Sequence, residues 1–128
     1  GWDWFALQLD DGTDIMLYRL RKKDGTTDRW SAGTVVTPDG RVTRMDQSDF
    51  TLKALDQWES PRGGTYPGRW RLDAAPLDRT LTVTPILADQ ELDLTVRYWE
   101  GAVDVTSEGA AVGRGYVELS GYAESPGR

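Results

Sequence analysis

The chain is predicted to be all-β: an antiparallel barrel or sandwich of eight to nine strands. Apolar and polar residues alternate with a period of two along most of its length, as they do in half-buried strands. Turn signals containing glycine, among them residues 10–12 (DDG) and 38–40 (PDG), separate these segments at short intervals. Six tryptophans supply side chains large enough to fill a wide β interior. A barrel of about eight strands can also hold one small ligand.

The first half of the chain accounts for five of these strands. Residues 3–9 place Asp3, Phe5, Leu7 and Leu9 on one face, and the DDG turn then begins a hairpin. The four strands that follow are predicted over residues 14–21, 29–37, 41–45 and 49–58. Consecutive hairpins of this kind build an up-and-down antiparallel sheet.

The second half begins with a loop, residues 60–68, that is dense in Pro and Gly. Residues 88–92 (ADQEL) form the only predicted helical turn, and Pro85 marks a sheet edge or a bulge. Because no repeat of fixed period occurs, a propeller or a solenoid is not expected. Strands are predicted over residues 69–72, 80–86, 94–106 and 114–122.

Composition removes several classes of function. The net charge is −6 and the basic residues are spread out apart from a cluster at 19–23, so nucleic-acid binding is not expected. The chain contains neither Cys nor His, which excludes within it Ser–His–Asp and Cys–His catalysis and an ordinary zinc site. No metal or other cofactor is predicted, and no apolar run is long enough for a membrane span. Acid–base chemistry must use Asp, Glu, Tyr or Lys.

Asp3 is the first candidate for a catalytic residue. Strand parity places it on the apolar face with Phe5, while its neighbours Trp2 and Trp4 lie on the other face. A desolvated carboxyl group in this position could act as a general acid. The alternative is a carboxylate at the barrel rim that is bonded to an arginine or to backbone N–H groups, since buried carboxylates are usually paired.

Glu100 is the second candidate acid, in the segment Tyr98-Trp99-Glu100-Gly101. Parity turns Glu100 away from Trp99, unless a bulge at Gly101 resets the alternation. In the functional interpretation, Glu100 is a second carboxylate that lines a cavity, and Trp99 is a candidate for ligand binding. In the structural interpretation, Gly101 only allows a bulky neighbour to pack closely.

Four further residues are candidates for ligand binding. Tyr116 and Glu118 share one face of the last strand, with two aliphatic residues on the opposite face. If the polar face points inward, it lines a cavity with hydroxyl and carboxylate groups, and Tyr18 and Trp4 add aromatic walls. If it points outward, it is an ordinary solvated exterior.

Three arginines are the expected partners of buried acids: Arg19, Arg69 and Arg71. Arg69 and Arg71 lie on one face of a predicted strand. Their charges suit either a structural ion pair with Asp3 or Glu100, or an anchor for an anionic ligand.

Five strings occur in the order GWDWFALQLDDG, IMLYRLR with a DG turn after it, SPRGGTYPGRWRL, YWEGAV and GRGYVELSGY. Together they resemble the AttH-like or carotenoid hydratase family, whose members are often labelled predicted secreted hydrolases. The resemblance extends from Trp2 to Tyr122. It implies a lipocalin-like β-barrel domain at residues 1–124 with a tail at 125–128. It also implies the C-terminal domain of a longer protein, with a second, N-terminal barrel as its partner.

The same resemblance implies a protein that acts on an apolar, polyene or terpenoid-like small molecule, without a cofactor. The implied reaction is hydration of an alkene, in which Asp3, or Glu100 as second choice, protonates carbon and aromatic faces stabilise the cation. Two alternatives stay open: a non-catalytic barrel that binds a hydrophobic ligand or buttresses the other domain, and a pericyclase of the Diels–Alderase kind. A secreted or periplasmic location is suggested by the resemblance alone.

Overall fold

In a computed structural model that describes residues 1–123, ten strands form one antiparallel sheet. The strands are β1 (Trp2–Leu9), β2 (Asp14–Leu20), β3 (Ala32–Val36), β4 (Val42–Asp46), β5 (Phe50–Glu59), β6 (Thr65–Ala74), β7 (Leu81–Pro85), β8 (Glu91–Asp93), β9 (Arg97–Ser107) and β10 (Ala110–Ser120). The strand order is β4-β3-β2-β1-β10-β9-β7-β6-β5, and β8 also pairs with β9. The sheet curls into a half-barrel, which confirms the predicted all-β, antiparallel, lipocalin-like fold.

The predicted helical turn at residues 88–92 is wrong, because this segment leads into the short strand β8. Tertiary contacts explain the difference. The side-chain amide of Gln90 accepts a hydrogen bond from the Ala102 N–H (3.0 Å) and donates one to the Ala102 carbonyl (3.1 Å). The Gln90 side chain thus makes the pair of hydrogen bonds with β9 that a neighbouring strand would make, at the point between the residues of β9 that pair with β7 and those that pair with β8.

Strand boundaries differ from the predictions at several other places: β3 begins at Ala32 rather than at 29, β9 at Arg97 rather than at 94, and β10 at Ala110 rather than at 114. Strand β6 begins at Thr65 rather than at 69, because residues 65–67 pair with residues 57–59 of β5. The expected domain boundary at 124 and the tail at 125–128 lie outside the described residues. Residues 1–123 include no helix of the length and apolarity that crossing a membrane requires.

The core lies on the concave face of the sheet, where strand alternation directs the apolar side chains. The rings of Phe5 and Trp70 meet edge-on with their centroids 5.3 Å apart. Burying each side chain of this size contributes about 1.5–3 kcal/mol. The concave face is filled by side chains, among them the fully buried Phe5, Leu7, Leu17, Leu72, Leu81, Val83 and Val105.

The convex face of β2, β1 and β10 is unusually rich in aromatic residues. Trp4 of β1 lies opposite Tyr18 of β2 on one side and Glu118 of β10 on the other. Trp2 is 45% exposed and Tyr116 is 43% exposed. We call this surface the convex aromatic face; it comprises Trp2, Trp4, Met16, Tyr18 and Tyr116.

Candidate functional site

Asp3 lies on the concave face with its side chain completely buried, so the predicted inward orientation is confirmed. Its Oδ2 atom accepts hydrogen bonds from Arg19 Nε (3.0 Å) and Nη2 (2.8 Å), and its Oδ1 atom accepts one from the Tyr122 hydroxyl (2.6 Å). Arg21 Nε lies 3.4 Å from Oδ2. The ion pair with Arg19 that the sequence allowed is therefore present. Asp3, Arg19, Arg21 and Tyr122 are called the Asp3 cluster below.

Strand register assembles this cluster. Arg19 lies directly opposite Asp3 in the β1–β2 ladder, and Tyr122 follows shortly after β10, the other neighbour of β1. The guanidinium group of Arg21 rests 3.8 Å from the centre of the Tyr122 ring. Burial, and then the neighbouring Asp3, raise the pKa of Tyr122 above its ordinary value, so its hydroxyl stays a hydrogen-bond donor.

A second buried carboxylate, Glu91, was not identified from the sequence. Its side chain is completely buried, and it accepts hydrogen bonds from Ser60 Oγ (2.6 Å), Arg62 Nε (2.5 Å) and the Tyr66 hydroxyl. Arg97 Nη1 lies 3.7 Å from its Oε2 atom. Glu91 and these four partners are called the Glu91 cluster. No local signal marked it, because a strand of three residues is too short to show a period.

Electrostatics keep Glu91 ionised. Burial by itself raises the pKa of Glu91, but hydrogen bonds from Ser60, Tyr66 and Arg62 outweigh burial and hold that pKa below its usual value. Burial and the bond to Glu91 together raise the pKa of Tyr66, which remains the donor. The Glu91 carboxylate is thus a satisfied acceptor rather than a proton donor.

The two clusters meet through their tyrosines. The ring centroids of Tyr66 and Tyr122 are 5.9 Å apart, and Trp58 stacks on Tyr66 at 5.8 Å. Each tyrosine donates to one carboxylate and packs against the other tyrosine. A substitution in one cluster can therefore disturb the packing of the other.

The bonding of Asp3 limits the chemistry that it can perform. Both of its oxygens accept hydrogen bonds from Arg19 or Tyr122. A general acid needs an oxygen that reaches the substrate. Proton transfer from Asp3 to a bound molecule would therefore require Arg19 or Tyr122 to move.

The structure separates the two candidate acids. Glu100 lies on the convex face, directly opposite Glu118 in the β9–β10 ladder, whereas Asp3 lies on the concave face. Trp99 lies on the concave face of β9, is 2% exposed, and donates from its indole Nε1 to the Ala88 carbonyl (2.8 Å). Glu100 and Trp99 thus line opposite faces of one strand.

The strand parity around Gly101 is regular, with no bulge there. A Cβ atom at Gly101 would overlap the Gln90 side chain, so the glycine admits a close neighbour. The register shift of the β9–β10 ladder falls instead between Ala111 and Gly113. Of the two orientations that the sequence left open for Tyr116 and Glu118, the structure has the outward one, opposite the buried Val117 and Leu119.

The remaining predicted ligand residues gather on the convex face. Trp4, Tyr18, Tyr116 and Glu118 all lie there, and Trp2 Nε1 donates to Glu118 Oε2 (2.8 Å). A shallow cavity of about 260 Å³ opens beside them, lined by Met16, Tyr18, Ala32, Gly33, Thr34, Arg44 and Met45. Any ligand that these residues bind would lie outside the barrel.

Two of the expected partners of buried acids bind surface carboxylates instead. Arg69 Nε lies 2.7 Å from Asp56, and Arg71 Nε lies 2.8 Å from Asp73. Their pairing with Asp3 or Glu100 is therefore wrong, because β6 turns both side chains towards solvent. Among residues 1–123, no three acidic side chains are grouped so that they could hold a metal ion.

Comparison with known proteins identifies the family. A family model described as AttH-like matches residues 1–122. The chain belongs to the AttH-like family. No curated protein is similar enough to count as a match.

Two solved structures are similar to this AttH-like chain. One is a protein assigned as AttH from Nitrosomonas europaea, with 33% identity and a TM-score of 0.88 over 97% of this chain and 39% of that one. The other is kievitone hydratase from Nectria haematococca, with 20% identity and a TM-score of 0.72 over 95% of this chain and 39% of that one. At that identity, the second likeness concerns the fold. The chain spans 39% of the length of each structure.

Proposed function

We propose that this chain is the barrel domain of a hydratase-like protein that adds water to an alkene in an apolar small molecule of polyene or terpenoid type. Within that protein, the domain buttresses a second, N-terminal barrel that completes the substrate site. No cofactor is needed, because protonation and attack by water are acid–base steps. The observation that carries the proposal is the contrast between a filled concave face and an exposed aromatic convex face.

The filled interior supports a buttressing role. Phe5, Trp70 and their neighbours occupy the concave face, whereas a barrel that encloses a whole ligand keeps this space open. The convex aromatic face supports a partner. Indole and phenol rings that remain half exposed are typical of surfaces that become covered in an assembly.

The test uses the protein at its full natural length. Tyr116→Asp places a charge in the middle of the convex aromatic face, and Val42→Asp, at a residue 55% exposed on the edge strand β4, is the matched control. We expect Tyr116→Asp to lower hydration activity by about tenfold or more through misplacement of the second domain. Activity is read as incorporation of 18O from labelled water into an apolar alkene, and domain contact as resistance to limited proteolysis. If Tyr116→Asp and Val42→Asp had the same hydration activity and the same resistance to proteolysis, the buttressing role would be contradicted.

A second candidate is that Asp3 itself protonates the alkene, with Glu100 as the other possible acid. The complete burial of Asp3 favours this candidate, and proton transfer then requires Arg19 or Tyr122 to release one of the carboxylate oxygens. Asp3→Asn and Glu100→Gln test it, with Asp14→Asn on the exposed side of β2 as the control. A folded Asp3→Asn protein without turnover supports catalysis, a folded and active one excludes it, and an unfolded one supports a structural role.

The labelling experiment also separates the remaining alternatives. Conversion of a polyene to a cyclised product without 18O would indicate a pericyclase. Binding without conversion would indicate a module that only holds the apolar molecule. In either case Trp4, Tyr18, Trp99, Tyr116 and Glu118 are the residues to substitute first for a change in affinity.

A further inference from the structure

We infer that a small cavity between β2 and β5 binds the carboxylate group of an apolar organic acid, with Arg19 as its anchor. The cavity has a volume of about 260 Å³ and is lined by Arg19, Thr27, Gln47, Phe50, Thr51 and Leu52. It lies where the edge strand β5 passes the end of β2. The inference concerns binding only, and it does not depend on the hydration reaction.

The charges around Arg19 do not balance. The Asp3 cluster contains two guanidinium groups and one carboxylate, which leaves one excess positive charge in a mostly buried place. The side chains of Arg19 and Arg21 are only 18% and 17% exposed. Arg21 does not line the cavity and contributes only its charge, although within residues 1–123 its buried Nε atom has no hydrogen-bond partner. A charge that is withdrawn from water without a counter-charge is costly, so an anion at this place would stabilise the cluster.

Arg19 has donors left for such an anion. A guanidinium group carries five N–H donors. Nε and one N–H of Nη2 bind Asp3, and one N–H of Nη1 binds the Leu52 carbonyl at 3.0 Å. One N–H on each terminal nitrogen therefore remains for a ligand. Carboxylates match this fork of donors better than other anions of their size.

The walls of the cavity favour an apolar body behind the charged group. Phe50 and Leu52 are only 6% and 8% exposed and form its apolar side. Thr27, Gln47 and Thr51 form a polar rim without a negative charge. The volume equals that of roughly nine water molecules, which suits a medium-chain acid or the end of a longer one.

A calorimetric titration tests this site in the protein at its full natural length. The ligands are octanoate, octanol and octylammonium, which share a chain and differ in charge. We expect octanoate to bind and the other two to bind at least about tenfold more weakly. Gln47→Glu adds a negative charge at the rim and should weaken octanoate binding by about fivefold or more, since the charges lie within a Debye length.

Gln8→Glu is the matched control, because it makes the same change at an exposed position near the other end of β1. Its affinity for octanoate should equal that of the unchanged protein. Octanol binding as tightly as octanoate would overturn the inference, as would equal weakening by both Glu variants or no octanoate binding at millimolar concentration. Because no turnover is measured, failure here leaves the hydration proposal untouched.

Discussion

The Asp3 and Glu91 clusters each bury a carboxylate, the first on a long strand and the second on a very short one. In each, a carboxylate with a fully buried side chain is bound by one tyrosine hydroxyl and by arginine. Asp3 belongs to the eight-residue strand β1, and its partner Arg19 is opposite it in the ladder. Glu91 belongs to the three-residue strand β8, and Ser60 and Arg62 reach it from the connection between β5 and β6.

The exposure of the arginines makes the two clusters unequal. Arg62 is 34% exposed, about twice the exposed fraction of Arg19 at 18%. Arg97, the second arginine near Glu91, is only 19% exposed, but it also donates to the carbonyls of Arg62, Gly63 and Ala123 and so does not depend on Glu91 alone. An arginine that can turn towards water keeps its hydration when its carboxylate is removed, whereas a buried one cannot. The comparison therefore predicts that Asp3 contributes to global stability and that Glu91 mainly holds the β5–β6 connection in place.

Asp3→Asn should have the largest effect. The neutral amide leaves Arg19 and Arg21 mostly buried without a counter-charge, and we expect a loss of about 3–5 kcal/mol in the free energy of unfolding. Urea unfolding followed by tryptophan fluorescence measures it. The control Asp14→Asn, exposed on β2, should stay within about 0.5 kcal/mol of the unchanged protein. A loss below about 1 kcal/mol for Asp3→Asn would refute the comparison.

Glu91→Gln should have a smaller effect, about 1–3 kcal/mol, because Arg62 can be hydrated. Hydrogen exchange should also become faster in the segment 60–64, which Arg97 holds through the carbonyls of Arg62 and Gly63. Glu59→Gln, exposed at the end of β5, is the control. If Glu91→Gln lowers the free energy of unfolding as much as Asp3→Asn does, the exposure of the arginine does not set the cost.

Acid pH should remove the contribution of Glu91. Its pKa is lowered in the folded protein, so its stabilising effect is fully present above the ordinary value of 4.5. The effect is lost as the pH falls below 4.5 through the lowered folded pKa. The stability difference between the unchanged protein and Glu91→Gln should therefore be constant near neutral pH and shrink under acid conditions. Urea unfolding across this range measures it, and a difference that grows on acidification would contradict the assigned ion pairs.

Glu118→Gln should have the smallest effect. Its carboxylate accepts a hydrogen bond from the indole of Trp2, but this bond lies on the exposed convex face. We expect a change within about 0.5 kcal/mol, because partly exposed bonds compete with water. A larger loss in urea unfolding would mean that the convex aromatic face stabilises the barrel itself.

The sequence was most informative where neighbours along the chain decide the orientation of a side chain and its partner. The alternation of β1 placed Asp3 inside with Phe5, and the hairpin after it brought an arginine within reach. It was least informative for residues 88–92, where a helical turn was predicted and the β8 strand is found. That strand exists because β9 pairs with it, and no local pattern encodes such a partner.

The sequence by itself determined the all-β class, most strand positions and the inward orientation of Asp3, because a period of two and glycine turns are local properties. Only the tertiary structure decided which face of β10 is convex, which acids meet which arginines, and that Arg19 reaches Leu52 across the open side of the half-barrel. These contacts join residues far apart in the chain. They depend on how strongly the whole sheet curls, which no single segment encodes.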